Sequence, residues 1–518
     1  MSTIRVTGLN SGLDTESIIS ELASARSLKV ISLQNAQTKL SWKIDAWKAL
    51  NTKIYSLYSS TLSTMRLQSS YSQKTTTSSN TDAVSVVTGT AAVVGVQSLS
   101  VTQLAKAGYL TGSKIASYST TSGGTTTTTT PTTSTTLSNL GVTSGTVTFK
   151  LKFGASSDTE TTSNTSTLTF SSTSTIADVV SALKAKGVNA NYDTTNQRLF
   201  VSSSGTGLAD NFTLTAVDSG TDTTSSSALK ALGLDASNGA NKIEGQDASI
   251  TLNGATFTSD DNSFEINGLT YTAKSVASNI SITTAIDTSG IYNTIKNFVS
   301  TYDTLVNQMD TLYSADDTSS YTPLTSAEKS TMSDTEVTAW ETKIKDSLLR
   351  RDSTLSSVET AMKSVMASGI KMSDGTTKYL SDYGISTLSY FTASDNEKNS
   401  YHIDGNTDDS STKNNTDKLQ TAITNDTDTT TQFFSSLVSS LYSTLSKKMT
   451  STDLRSAYSV YNDKEMKTEL TDYTTKISDA EDKLNAYVEK WYSKFSVMET
   501  TLSKLTSKAS SISSLLSS

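Results

Sequence analysis

The sequence predicts an α+β multi-domain protein: both termini contribute to a discontinuous helical, coiled-coil leg, and β-rich head domains are inserted between them. One observation at each end and one in the middle carry this. Near the end, Leu484, Val488, Trp491, Phe495, Met498, Leu502, Leu505, Ala509, Ile512 and Leu516 alternate by four and three without a break, the spacing of a coiled-coil seam. Each such side chain gains ~1.5–3 kcal/mol on full burial, which a lone helix does not supply, so a partner helix is required. Near the start, Leu33, Leu40, Trp47 and Ile54 recur every seventh residue, with Ile44, Tyr58 and Met65 beside them and Asn51 as one polar interruption. From Ala83 the period changes to the strict alternation of half-buried strands, and from Ile291 the helical period returns.

In chain order, Thr15 to Met65 reads as helix, with Asp14 or Thr15 as N-cap and Glu16 complementing the dipole in the first turn. Ile18, Ile19, Leu22 and Ala25 begin its apolar face. Alternating strands follow from Ala83 to Leu104. Gly123-Gly124 and the run Thr125 to Thr130 before Pro131 form a low-complexity tract that builds no core and reads as an exposed loop or hairpin tip. Strands resume at Thr146 to Phe153, Thr167 to Phe170 and Arg198 to Val201, with a short helix at Ile176 to Ala185. Ala248 to Gly254 and Asn267 to Tyr271 are further strands, and Asn253-Gly254 and Asn267-Gly268 are hairpin turns. Ile291, Ile295, Phe298, Tyr302 and Leu305 then step by three and four. A second helix is predicted over about Val337 to Met366, with Trp340, Ile344, Leu348, Leu355, Val358 and Met362, and a third runs through Phe433, Leu437, Leu441 and Leu445.

Composition narrows the function. Ser and Thr make up about a third of the chain, and apolar residues reach 35% against the usual ~45–50%. Little core per surface suits an elongated or multi-domain shape. A net charge of −8 with dispersed Lys and Arg argues against nucleic acid. No run approaches the ~18 consecutive apolar residues of a membrane span, and the first residues lack the apolar stretch of a secretory signal. The expectation is a protein that stays in the cytoplasm or leaves by a route without a cleaved signal. The absence of cysteine excludes disulfides, thiolate metal sites and cysteine nucleophiles, and suits a chain exported unfolded.

The catalytic inventory is nearly empty, and neither an enzyme nor a cofactor is expected. His402 is the only histidine and is read as incidental, in a polar loop. Asp404-Gly-Asn406-Thr-Asp408-Asp409 opens like an EF-hand, but Asp409 stands where the turn glycine belongs and Asn415 where the bidentate glutamate belongs. It reads as a solvated acidic turn, and Gly205-Thr-Gly207 as a plain turn. Trp491, Tyr492 and Phe495 are read as packing residues, with the packing partner in the same chain or in another.

Ile4-Arg-Val-Thr-Gly8-Leu9-Asn-Ser11-Gly12-Leu13-Asp14-Thr15 resembles the opening of the bacterial flagellar filament cap family, hook-associated protein 2, whose pattern Gly-Leu-x-Ser-Gly-Leu-Asp-Thr it repeats. Val96 to Ala105, Gly245 to Gly254, Phe298 to Tyr302, Trp340 to Lys343, Leu348 to Asp352 and Gly384 to Thr387 resemble later family landmarks in the expected order; 107–244 resembles nothing recognisable. The resemblance, with the changes of period, divides the chain into terminal leg tips (1–35 and 484–518), a helical leg (36–75 and 291–483), a β-rich head (76–106 and 245–290) and an inserted outer, variable head (107–244). It implies a structural cap at the flagellum tip that promotes insertion and folding of exported flagellin, secreted without a cleaved signal by flagellar type III export. Implied partners are further copies of itself in a ring, a pentamer first, then flagellin, the hook–filament junction protein and an export chaperone, with no nucleic acid and no membrane. The alternatives are another flagellar axial protein, or a surface adhesin or glycan-binding protein that meets host glycans, a role compatible with a cap and suggested by the Thr-rich β-domains and displayed aromatics such as Tyr192, Phe212 and Tyr271.

Overall fold

The computed structural model describes residues 11–389, 391, 393–394 and 397–516. Its contacts divide the chain into two units, one built from the residues up to Ser72 together with those from Thr288, the other from Gln73–Asp287.

Helix α1 (Thr15–Ser56) opens the first unit. Asp14 is its N-cap, Oδ1 accepting from the Ser17 N–H at 3.0 Å, and Glu16 sits in the positive first turn. The sequence predicted unbroken helix to Met65. Instead Leu57–Leu62 is a π-helical turn that buries both Leu57 and Leu62; the extra residue rotates the last turn so that both leucines reach the core. Ile19 is buried as expected, whereas Ile18 and Ala25 stay exposed, because only one stripe of the helix meets a partner.

The second unit holds strands β1 (Lys74–Ser78), β2 (Val84–Thr88), β3 (Gly95–Gln103), β4 (Tyr109–Thr111), β5 (Tyr118–Ser122), β6 (Thr125–Thr129), β7 (Val147–Phe153) and β8 (Thr165–Phe170), then helix α2 (Ile176–Ala185). There follow β9 (Val188–Asp193), β10 (Arg198–Ser203), β11 (Phe212–Ala216), helix α3 (Thr224–Ala231), β12 (Asn241–Ile243), β13 (Ala248–Leu252), β14 (Ala255–Ser259), β15 (Ser263–Ile266), β16 (Leu269–Ala273) and β17 (Ala277–Ile286). All ladders are antiparallel. Sheets β1-β17-β3-β13-β14 and β15-β16-β2 enclose one core around Leu99, Ile250, Phe264, Tyr271 and Ile282. Sheets β12-β4-β10-β9 and β11-β7-β8, with α2 and α3, enclose another around Phe149, Leu151, Leu183, Tyr192, Leu199 and Phe212. Both Asn-Gly pairs form two-residue turns: Asn253 and Gly254 have φ +50° and +86°, Asn267 and Gly268 +51° and +75°, the left-handed pair that matches strand twist. Tyr192, Phe212 and Tyr271, expected on display, are 5%, 0% and 1% exposed. Each lies on the inward-facing row of its strand, which the alternation already contained.

The first unit resumes with α4 (Thr288–Ser314), α5 (Asp334–Asp346) and α6 (Ser353–Ala367). The sequence predicted one helix across the last two. Arg351 at φ +52° breaks it, and Asp352 caps the new start by accepting from the N–H groups of Thr354 (2.9 Å) and Leu355 (3.2 Å). Hairpins β18 (Ile370–Lys371) with β19 (Thr377–Lys378) and β20 (Ile385–Thr387) with β21 (Tyr401–Ile403) follow. Helices α7 (Lys418–Asn425), α8 (Thr427–Lys448) and α9 (Asp463–Leu516) complete the unit. Its core joins Trp47, Leu50 and Ile54 of α1 to Ile295, Phe298 and Tyr302 of α4, Leu355 and Met362 of α6, and Phe433, Phe434, Leu437 and Leu441 of α8.

His402, expected in a polar loop, lies in β21 and is 9% exposed; its Nδ1 meets Asp409 Oδ2 at 2.6 Å. Beside it, Asp303 Oδ1 accepts from the Tyr401 N–H at 3.0 Å, and burial pushes its carboxyl up to about 7 despite that bond. A carboxyl whose folded pKa is raised keeps its full contribution to stability below the ordinary value of 3.8 and loses it as pH rises towards about 7. Asp303→Asn, which still accepts from Tyr401, removes this penalty. Between pH 4 and pH 7 the urea midpoint of the wild type should fall relative to the variant, by an equivalent of at most ~4 kcal/mol, less for the partly exposed carboxylate. Parallel pH profiles of the two proteins would show the expectation to be wrong.

Candidate functional site

The candidate site is the pair of terminal helices. α1 and α9 run antiparallel, and their contacts form a ladder. Trp47 stacks on Tyr461, just before α9, with ring centroids 5.3 Å apart and planes 7° from parallel. Further along, Gln37 Nε2 donates to Thr474 Oγ1 at 2.8 Å and Gln34 Nε2 to Glu481 Oε1 at 3.2 Å. The Arg26 guanidinium then lies 4.1 Å from the Tyr487 ring centroid. At the end the Ser11 N–H donates to Glu499 Oε2 at 3.3 Å, and the Ser11 hydroxyl bonds the other carboxylate oxygen.

Burial along this ladder is graded. Of the expected seam on α1, Trp47 and Ile54 are 2% and 0% exposed, while Leu33 and Leu40 are half-buried. On α9, Leu484, Val488, Trp491, Phe495, Met498 and Leu502 are half-buried. Trp491 contacts Phe495 at 5.9 Å between centroids and Tyr487 at 6.2 Å, and Lys494 Nζ lies 4.5 Å from the Trp491 ring centroid. Leu505 and Ile512 are both 58% exposed and Leu516 is 83% exposed. The heptad pattern therefore continues past the point where α1 supplies a partner: Ser11 is already level with Glu499. Between the helices, Arg26, Lys29, Lys476 and Lys483 with Asp479 line a cleft of about 400 Å³.

The N-terminal motif gains a physical role here. Gly8 and Leu9 lie outside the described residues. Gly12 takes φ +68°, which a residue without Cβ adopts at no steric cost. That turn lets Leu13 accept from the Thr15 N–H at 2.9 Å and brings Asp14 to the cap position. Leu13 is 47% exposed, whereas Thr15 is 1% exposed and its Oγ1 has no hydrogen-bond partner. Glu499 as the acceptor for Ser11 had no signal in the sequence, since it stands next to the seam rather than on it. The Arg26–Tyr487 contact was equally hidden, because it depends on the register between two helices.

Among the described residues no group of three or more His, Cys, Asp or Glu is placed to hold a metal ion, and no helix is long and apolar enough to cross a membrane.

Family models locate this arrangement. The model for the flagellar hook-associated protein 2 C-terminus matches residues 245–507, and that for the flagellar hook-associated protein 2 N-terminus matches 11–108. The chain belongs to the flagellar hook-associated protein 2 family. Neither model covers 109–244, the stretch with its own core. The Escherichia coli K12 flagellar hook-associated protein 2 is 32% identical over 111 residues, which is 21% of this chain and only 23% of that protein. Among solved structures, the D1-D2-D3 domains of the Escherichia coli flagellar cap protein FliD are 21% identical, covering 83% of this chain and 95% of that one with a TM-score of 0.45. FliD (HAP2) from Pseudomonas aeruginosa is 22% identical, covering 43% and 93% with a TM-score of 0.31.

The graded burial makes Trp491 and Phe495 less valuable than fully buried seam residues, whose truncation costs ~3–5 kcal/mol each. Replacing both by Ala should cost roughly half of that summed figure or less, and the loss should be local, because Trp47 and Tyr461 lie in a separate core. Hydrogen exchange should speed up over about 480–516 and stay unchanged over α4, α6 and α8. Equal acceleration throughout the helical unit would refute a locally stable tip.

Proposed function

We propose that this protein is the structural cap at the tip of a bacterial flagellar filament, where it promotes insertion and folding of exported flagellin and so sustains elongation. The observation that carries the reading is family membership through both ends of the chain, at 11–108 and 245–507. The helical unit serves as the leg, with 1–35 and 484–518 as its tip and 36–75 with 291–483 as its body. The residues 76–106 with 245–290, and 107–244, serve as inner and outer heads. The protein acts as a closed ring of identical copies, five by family resemblance. Its partners are flagellin, the hook–filament junction protein and, before secretion by flagellar type III export without a cleaved signal, a chaperone. Its work is mechanical rather than enzymatic.

The physical support is the apolar row Leu505, Ile512 and Leu516, left open where α9 outruns α1. Such a row gains free energy from any helix that covers it, which suits a leg working against helical subunits. The rival reading as a glycan-binding adhesin loses its aromatic support, since Tyr192, Phe212 and Tyr271 are core residues. Deleting the gene tests the proposal: cells should carry hooks without filaments and release flagellin into the medium. Filaments of normal length with only adhesion lost would overturn it. Restoring the gene with Leu505→Ser and Ile512→Ser should leave the protein exported but shorten filaments severely; full-length filaments would remove the open row from the mechanism.

A further inference from the structure

Two sheet edges in the β unit are left open side by side. β11 is the outer strand of β11-β7-β8, and β12 the outer strand of β12-β4-β10-β9. On β11, the Gly154 N–H donates to the Asn211 carbonyl and the Val217 N–H to the Thr148 carbonyl, each at 2.8 Å. Antiparallel alternation then turns the backbone groups of Phe212, Leu214 and Ala216 away from β7. On the other sheet, the Gly112 N–H donates to the Leu199 carbonyl (2.7 Å) and the Ser203 N–H to the Gly108 carbonyl (2.9 Å). Leu110 is thereby committed to β10, β12 pairs through Tyr109 and Thr111, and the backbone of Lys242 faces outward.

The edges meet at one end only. There Asn211, 0% exposed, donates through Nδ2 to Glu244 and accepts through Oδ1 from the Gly245 N–H and Lys242 Nζ, both at 3.0 Å. Beyond this clamp β11 and β12 do not pair, and a cavity of about 450 Å³ opens between them, lined by Leu110, Leu214, Leu229 and Leu234. Thr213 Oγ1 lies buried in its wall without a hydrogen-bond partner. A slot with strand edges on its sides and leucines lining it takes an added β-strand.

The chain also displays a strand whose outer edge pairs with no other strand among the described residues. β5 and β6 form an isolated two-stranded sheet, turned by Gly123 (φ +59°) and Gly124 (φ +84°), with side chains exposed except for half-buried Tyr118 and Thr129 at its base. Hydroxyl pairs Thr121–Thr126 (3.0 Å) and Ser119–Thr128 (3.4 Å) mark the close, non-hydrogen-bonded positions, so the backbone groups of Thr126 and Thr128 point outward. An isolated hairpin of this kind is marginal in water. Its uncharged, β-branched outer edge has the form that open sheet edges recruit.

We propose that the β5–β6 hairpin of one copy lays strand β6 along the open edge of β11 in a second copy. The inference rests on the self-assembly in the proposed function and supplies a contact for it. Donor and acceptor are different surfaces, so the contact is heterologous, and repeated copies run head to tail and close into a ring when the rotation allows.

The chain has no cysteine, which makes the test direct. Full-length Thr215→Cys copies mixed with Thr125→Cys or Thr127→Cys copies should form inter-copy disulfides under mild oxidation, because these residues turn their own backbone groups inward and meet at non-hydrogen-bonded pairs of the new ladder, where Cα atoms lie ~4.5 Å apart and Cβ atoms approach the distance a disulfide needs. Pairing with exposed Val276→Cys copies is the control, and a heterodimer yield no higher than that control overturns the contact. Thr126→Pro with Thr128→Pro, which removes both outward N–H donors from a hairpin that holds no core, should weaken self-association in sedimentation at least ~10-fold, about 1.4 kcal/mol. Unchanged self-association of this variant would overturn the hairpin contact and leave self-assembly standing. A wild-type chain that remains monomeric at every concentration, with no cross-linking, would overturn both.

Discussion

The pairing of α1 with α9 is the constraint on which the rest of the chain depends. A helix with an apolar stripe needs a partner, and here the partner is hundreds of residues away: Ser11 and Glu499 are 488 positions apart yet hydrogen-bonded. Every intervening segment has to leave this pair and return to it. The β unit meets that requirement at its own boundary, where β1 and β17 pair antiparallel from Lys74↔Ile286 and the Asp287 N–H donates to the Gln73 carbonyl at 2.9 Å. The chain thus departs and returns along adjacent strands, so an insertion of any size fits without disturbing its ends.

The same device is used again inside the β unit. Lys106 and Gln246 exchange backbone hydrogen bonds at 2.8 and 3.1 Å, and everything between them belongs to the second core. The crossing is tight enough to demand glycine. A Cβ on Gly108 would stand 2.6 Å from Asn211 Oδ1, and one on Gly245 2.6 Å from the Gly207 carbonyl oxygen. Asn211 fills the gap beside these backbones, its Nδ2 donating to the Gly154 carbonyl and Glu244 and its Oδ1 accepting from the Gly245 N–H, which offsets the cost of burying it. Each body keeps its own hydrophobic core, and that explains how a chain with only 35% apolar residues folds: several small cores are built locally rather than one large one.

Stability is distributed unevenly along the terminal helices. Near Trp47 the pair shares a core with α4, α6 and α8, whereas Trp491 is only half-buried and Ile512 is 58% exposed. Polar contacts take over as burial declines, with Gln34, Gln37, Arg26 and Ser11 each spanning the pair. Such contacts hold register more than they add stability, since exposed hydrogen bonds and cation–π pairs contribute ~1 kcal/mol or less each.

Much of this was legible in the sequence alone. Hydrophobic period settled the helical ends, the β-rich middle, helix α2 and both Asn-Gly turns, because each is a local matter of side-chain spacing or of backbone angles that Asn and Gly tolerate. Motif residues Ser11 to Thr15 pointed to the family before any coordinates. Tyr192, Phe212 and Tyr271 were misplaced although each stands on the apolar row of its own strand; what period could not tell is how far α1 reaches, so Leu505 and Ile512 looked identical to Trp491 on the seam. The break at Arg351, the π turn at Leu57–Leu62 and the burial of His402 are decided by what packs against them. The sequence by itself determined the helical ends, the β-rich middle and the apolar stripe of the elements it revealed. Tertiary structure alone decided which stripes are covered, because coverage depends on the meeting of segments far apart in the chain.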